Sequence, residues 1–329
     1  MKIFLTWLGV LLLSSAVLAT VVGETDDPMV IGGGARPLGM GRAFAAVVED
    51  ADAPLINPAG GAGFHSPQVM TMFTNLLGEV YYSEYCGAFP SNFGTFGFGY
   101  VATGVNQVLV PGSSSIVYSD YHDNLLVFSY STPLAAFFDY GQNIYVGLNA
   151  KYFNRGWTGG IYKTASGFSG DFGLKLIVSP YLSFGYNNQN FLPVDLGGVI
   201  KYESGAEEAI SSIHKAGVAI RPMQLNGKLL IAADLDLPAS SSRPITGHLG
   251  LEWKLTPNLM VRTGLDQSVD ASTASLTSWN PTFGLSLASA GFRLDYAFHP
   301  YSNNANLATS YLSLSYQWAP WSALKGEAQ

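Results

Sequence analysis

Five histidines, one cysteine, 16 lysines and arginines and 23 aspartates and glutamates are the groups with which this 329-residue chain could do chemistry. Their spacing removes most of the usual possibilities. None of His65, His122, His214, His248 and His299 stands at a metal-ligand interval from Cys, Asp or Glu, so neither a metal nor a cofactor is expected. Cys86 has no partner for a disulfide and sits in an apolar alternating run, where it reads as a small packed hydrophobe. No Gly-x-Ser-x-Gly elbow is present. A triad assembled from separate strands would leave no local motif, so a lipid-hydrolysing protein stays open beside the favoured non-enzyme reading. A net charge of −7 and a pI near 5.1 exclude nucleic acid, which needs a basic face.

The charges that remain fall on the polar faces of alternating segments. Lys151, Lys175, Lys215, Arg221, Lys254, Arg262 and Arg293 are set against Asp171, Asp234, Asp236, Glu252, Asp266 and Asp295. Near balance of this kind predicts internal pairing and a filled interior rather than a strongly selective ion pore. The bland alternative, charges that merely solvate a watery lumen, is equally compatible with the sequence. On the same faces Gly97, Gly99, Gly147, Gly173, Gly264 and Gly284 leave space for a plug or a ligand.

The elements that position these groups are read from periodicity. Lys2, the apolar run Ile3 to Leu13 and the small residues at Val17-Leu18-Ala19 make residues 1–19 a secretory leader. Beyond it no stretch of about eighteen apolar residues remains, which excludes a transmembrane helix. Yet the chain is 48% hydrophobic and only 12% charged, about half the charge of an ordinary globular protein. The apolar residues alternate instead. Phe292, Leu294, Tyr296 and Phe298 oppose Arg293, Asp295 and Ala297; Leu249, Leu251, Trp253 and Leu255 oppose Gly250, Glu252 and Lys254. Such dyads recur in about fourteen segments, beginning near Gln68, Val80, Gly94, Asp123, Gln142, Ala165, Tyr181, Ser211, Lys228, Ile245, Asn258, Pro281, Gly291 and Thr309. Tight turns at Ser179-Pro180, Thr256-Pro257 and Ser289-Ala290 alternate with long connections at 107–122, 191–210 and 267–280. The pattern predicts an all-β fold, a transmembrane antiparallel barrel with short turns at one end and long loops at the other. A soluble sandwich also alternates, but its strands are shorter. Aromatics at strand ends, Trp157, Tyr181, Trp279, Phe298, Tyr301 and Trp318, fit the two interfaces of a bilayer.

One stretch has no strand pattern. Residues Gly34 to Gly60 read GARPLGMGRAFAAVVEDADAPLINPAG, with Arg42 to Glu49 expected as a short helix and Asp50, Asp52, Asn57 and Pro58 as breakers. Val30-Ile31-Gly32-Gly33-Gly34 looks like the start of a dinucleotide turn, but Pro37 occupies the position of the third glycine. An ordinary structured linker is the other alternative. Gly34, Ala35, Leu38, Gly39, Met40, Gly41, Ala43, Phe44, Asp50, Asn57, Pro58, Ala59 and Gly60 together resemble the N-terminal signature of the FadL-like outer-membrane proteins, and most closely their PorV/PorQ branch. The resemblance implies a plug folded into the barrel opening, with Gly34, Gly39, Gly41, Asn57, Pro58 and Ala59 as its motif and gate.

The expected organisation is a leader (1–19), a plug (20–66), an outer-membrane barrel (67–318) and a tail (319–329). Expected partners are outer-membrane lipid of a diderm bacterium, the barrel-assembly machinery and a hydrophobic small molecule. By resemblance to FadL the function is passive uptake of molecules such as long-chain fatty acids, captured by the apolar loop residues Val108-Leu109-Val110-Pro111 and Phe191-Leu192-Pro193-Val194. By resemblance to PorV/PorQ it is a platform for secreted proteins. The face assignment itself makes Leu251→Arg costly for insertion and Glu252→Arg mild.

Overall fold

A computed structural model describes residues 24–76, 78–110, 117–240, 243–269, 277–301 and 304–318. The expected leader, the tail and Pro111 lie outside the described residues. The strands are β1 (Glu24–Thr25), β2 (Gln68–Leu76), β3 (Val80–Ser91), β4 (Gly94–Leu109), β5 (Tyr118–Pro133), β6 (Ile144–Gly159), β7 (Lys163–Ser179), β8 (Leu182–Gln189) and β9 (Val199–Tyr202). They continue with β10 (Glu207–Ile210), β11 (Ile213–Ile220), β12 (Leu229–Pro238), β13 (Thr246–Thr256), β14 (Leu259–Val269), β15 (Thr277–Ser289), β16 (Phe292–Tyr301) and β17 (Asn304–Gln317). Each stave pairs antiparallel with the next, and β17 closes on β2 through pairs such as Leu312 with Phe73 and Tyr316 with Val69. Setting aside β1, β9 and β10, the result is a closed barrel of fourteen antiparallel strands. Closure leaves the fourteen staves without a free end strand, which is the condition for a sheet to sit in hydrocarbon.

The dyad pattern decides which side faces lipid. Leu249, Leu251 and Trp253 are each more than 40% exposed on the outer surface, whereas Glu252 between them is 2% exposed. Leu294, Tyr296 and Phe283 repeat the outward set, and Asp295, Ala297 and Thr282 the buried one. Of the six strand-end aromatics, Tyr181, Trp279, Phe298 and Trp318 follow the outward pattern. Trp157 and Tyr301 do not. Trp157 shares its face with Arg155 and packs on Tyr121, and Tyr301 shares its face with buried His299. An aromatic at a strand end satisfies a bilayer interface or a lumen mouth equally well by hydropathy, so periodicity alone misplaced these two.

Strand ends also differ from the sequence reading. β5, β15 and β17 begin at Tyr118, Thr277 and Asn304, four or five residues earlier than expected, because ladder pairing runs on beyond the apolar dyads. Val108 and Leu109 are therefore paired strand residues, not loop. The short turns do gather at one end, called here the turn end, but connection length alternates less cleanly than expected. Residues 134–143 and 221–228 are long for that end, and 160–162 is short for the loop end.

The staves are not all continuous. β8 stops at Gln189, and Asn190, in left-handed conformation, turns residues 191–198 out of that ladder before β9 resumes pairing with β7. Phe191 packs its ring over Gly170 on the outer face, so this apolar stretch is half-buried against the wall rather than free to capture ligand. β10 pairs with β9, and the short N-terminal strand β1 adds to β10 in parallel. Leu251→Arg is expected to cost roughly 2–4 kcal/mol of membrane stability at mid-strand; loss of the folded, heat-modifiable band in extracted membranes is the readout, and an unchanged band contradicts the face assignment.

Candidate functional site

Residues 24–66 fill the barrel. Four short helical segments carry a proline in the first turn, where its missing N–H costs nothing: a 3-10 turn at Pro28–Ile31, α1 (Ala35–Gly39), α2 (Ala53–Ile56) and a 3-10 turn at Pro58–Gly63. The expected helix over Arg42 to Glu49 does not form. Gly41 and Arg42 are both left-handed, and the backbone groups that follow are taken by the wall instead. Asp234 accepts from the N–H of Phe44 and Ala45 at 2.7 Å each, Lys175 donates to the carbonyls of Val47 and Val48 at 2.8 and 2.7 Å, and Ser183 donates to Ala46 O at 3.1 Å. A buried backbone needs partners, and here barrel side chains supply what a helix would have supplied internally.

Arg36 of α1 is the electrostatic centre. Its guanidinium meets Asp50 at 2.6 Å, Glu252 at 2.7 Å and Glu49 at 2.8 Å. Asp50 meets Arg293 at 2.7 Å, Arg293 meets Asp295 at 2.8 Å, Asp295 meets Arg262 at 3.2 Å and Arg262 meets Glu252 at 2.6 Å. The six side chains form a closed ring of alternating sign, three arginines with three carboxylates, two from the plug (Arg36, Asp50) and four from the wall. Glu49 extends it to Arg221 at 2.8 Å. Burial alone would raise the Asp50 carboxyl, but Arg293 and Arg36 hold it well below the usual carboxylate range. Its neighbour Asp52 is pushed the other way, by burial and by the Asp50 charge.

The remaining predicted lumen charges act in separate groups. Lys151 pairs with Asp27 of the N-terminal segment and, at 3.1 Å, with Asp171; Asn190 joins both. Lys215 pairs with Asp236 at 2.8 Å. Asp234 and Lys175 bind plug backbone, as above, rather than each other's class. Internal pairing, not mere solvation, is therefore the rule. Reading from sequence missed Arg36, Asp50, Asp27 and Glu49 as partners; the one available signal was charge placed inside an otherwise apolar, glycine-rich plug.

The motif residues sit where plug meets wall. Asn57 is fully buried, caps the Pro58 turn, and donates to Ala45 O at 2.9 Å and to Leu174 O of β7 at 3.2 Å. Pro58 and Ala59 lie against Gly147, where an added Cβ would come within 2.5 Å of Ala59 N. Gly39 faces Gly284 so closely that a Cβ on it would stand 3.0 Å from the Gly284 Cα. Gly34 is left-handed and donates its N–H to Glu84 at 2.8 Å. The wall glycines Gly97, Gly99 and Gly173 likewise receive Pro54, Leu55 and Asn57. All these spaces hold plug.

Above the plug, at the loop end, lies a cavity of about 730 Å³. Plug residues Met29, Ile31 and Leu38 and wall residues Leu76, Ile213, Tyr301 and Tyr311 give it apolar sides. Its polar floor contains Arg42, Lys215, Asp236, Asp266 and His299. His299 is a buried β16 residue 2.8 Å from Asp266, which His248 approaches equally closely from β13. Pro300 marks a strand end in sequence, but β16 runs one residue past it. His214 lies on the outward side against the Tyr186 hydroxyl at 2.7 Å. Among the described residues no cluster of three or more His, Cys, Asp or Glu is arranged for a metal.

By sequence, neither protein-family models nor curated proteins match this chain. By structure the likeness is extensive. The P. putida toluene transporter TodX superposes with a TM-score of 0.62 at 12% identity, over 87% of this chain and 99% of TodX. A Pseudomonas aeruginosa FadL homologue gives 0.56 at 11% identity, over 84% and 96% of the two chains. The CymD monoaromatic hydrocarbon channel gives 0.56 at 13% identity, over 88% and 98%. The fold is that of the FadL-like barrels. At such low identity it is the overall architecture that is shared, over nearly the whole of each neighbour.

In this FadL-like barrel the ring fixes the plug, so Glu252→Arg is not mild after all: it would set a third guanidinium against Arg36 and Arg262. Arg36→Leu leaves the ring carboxylates without their central cation and is expected to weaken plug docking by about 3–5 kcal/mol, the usual effect of breaking a buried pair. Protease cleavage within residues 34–60 and raised ion conductance of reconstituted barrels, with the wall still folded, are the measurements; an intact, sealed plug in this variant would contradict the role given to the ring.

Proposed function

We propose that the protein is an outer-membrane channel for passive uptake of hydrophobic small molecules, long-chain fatty acids being the class first to test. The observation that carries this reading is the roughly 730 Å³ amphipathic cavity at the loop end, closed below by a plug held through non-covalent bonds. Its volume is in the range of pockets that enclose a drug-sized ligand. The apolar sides favour a hydrocarbon body, and the paired charges offer no strong field to select an ion. The structural neighbours named for toluene and for monoaromatic hydrocarbons support the same ligand class.

In this reading the chain is exported by its leader, inserted by the barrel-assembly machinery with the turn end in the periplasm, and receives ligand from outside. Ligand passes when the plug shifts around Asn57, Pro58 and Ala59, which touch both plug and wall. The PorV/PorQ-like alternative, a platform for secreted proteins, rests on the motif resemblance and gains no support from the cavity.

Binding of a labelled fatty acid or of toluene to purified protein tests the reading. Ile31→Trp, which fills the cavity from the plug side, is expected to weaken binding at least about tenfold, or ~1.4 kcal/mol, with thermal unfolding unchanged. Deletion of residues 34–60 is expected to abolish retention. Copurification of secreted proteins with no ligand bound by the wild-type cavity would replace uptake with the platform.

A further inference from the structure

Below the plug, at the turn end, a second cavity of about 260 Å³ lies on the opposite side of the charge ring. Lys175, Arg221, Lys228 and Lys254 line it, with Ile177 and Leu230 as apolar neighbours. The lysines belong to lumen-facing positions. Lys254 follows Glu252 by two residues on β13, and Lys228 precedes buried Leu230 by two. Both are exposed at the turn end, where they line this cavity.

The charges here do not cancel as they do elsewhere. Arg221 is matched by Glu49, and Glu252 by Arg36 and Arg262. Among the described residues, Lys175, Lys228 and Lys254 make no ion pair with a carboxylate. Lys175 uses two of its three N–H donors on the Val47 and Val48 carbonyls, leaving one for a ligand. Three unmatched cations in one small cavity, on a chain of net charge −7, concentrate positive potential at this mouth.

We infer that this cavity binds the carboxylate head of an amphipathic acid, with the first methylenes against Ile177 and Leu230. The source of such a ligand rests on the uptake reading above. The site itself rests on the lysines and the cavity. It would hold the anionic end of a molecule that has passed the plug, or of one presented from the turn end.

Calorimetric titration of the full-length protein in a neutral detergent tests it, with hexanoate, hexanol and inorganic phosphate as probes at low salt. Hexanoate is expected to bind, and Lys228→Gln with Lys254→Gln is expected to weaken it by about tenfold, two partly exposed charge contacts together. Hexanol binding is expected to stay unchanged in that double variant, which leaves Lys175 on the plug carbonyls. Equal hexanoate binding in wild type and double variant overturns the site. Inorganic phosphate binding as tightly as hexanoate, with the same loss in the variant, overturns its assignment to an amphipathic acid. Hexanol binding without any lysine-dependent hexanoate binding removes this inference alone; failure of both probes to bind counts against the uptake reading as well.

Discussion

A guanidinium sealed inside a barrel must be neutralised where it lies, because neither water nor lipid is there to do it. Arg36 meets this constraint by drawing on plug and wall at once. Asp50 and Glu49 come from its own segment, Glu252 from β13, and the wall carboxylates are in turn balanced by Arg262 and Arg293. No member of the ring can move alone without stranding a buried charge. That makes the ring an all-or-none fastener, quite different from apolar packing, which yields gradually.

Around that fastener the fit is built from small residues and borrowed hydrogen bonds. Wall glycines let the plug backbone come within contact distance of the staves, and wall side chains such as Asp234 and Lys175 satisfy the amides and carbonyls thus exposed. The plug accordingly has little regular structure of its own. Its shape is imposed by the surface it lies on. The loop-end cavity exists because the N-terminal segment runs up one side of the lumen, tied by Asp27 to Lys151 and by Thr25 to Arg155, rather than filling the middle.

Much of the architecture was legible from residue order. A period of two survives any tertiary context in which one face meets lipid and the other does not, so strand number and the facing of residues such as Leu251 and Glu252 could be read directly. The glycine-rich motif marked the plug. What could not be read was anything that depends on contacts between distant segments. The run Ala43 to Val48 has helical composition, yet Asp234, Lys175 and Ser183 compete for its backbone and win. Likewise Tyr301 and His299 follow a weakened alternation near Pro300, and only the closed barrel turns them into cavity lining. Pairing partners for the lumen charges were similarly hidden, since half of them lie in the plug.

The ring has a temporal consequence. Arg36 stands near the start of the chain, but its partner Glu252 lies 216 residues later, and Asp50 waits 243 residues for Arg293. Ala35 is bonded to Ser313 across 278 positions, on the very strand that closes the cylinder. Such long-range contacts cannot form while the C-terminal third is still unplaced. The stopper can therefore be fully seated only once the last staves are in place, and a barrel that has not yet closed is also one that has not yet been corked.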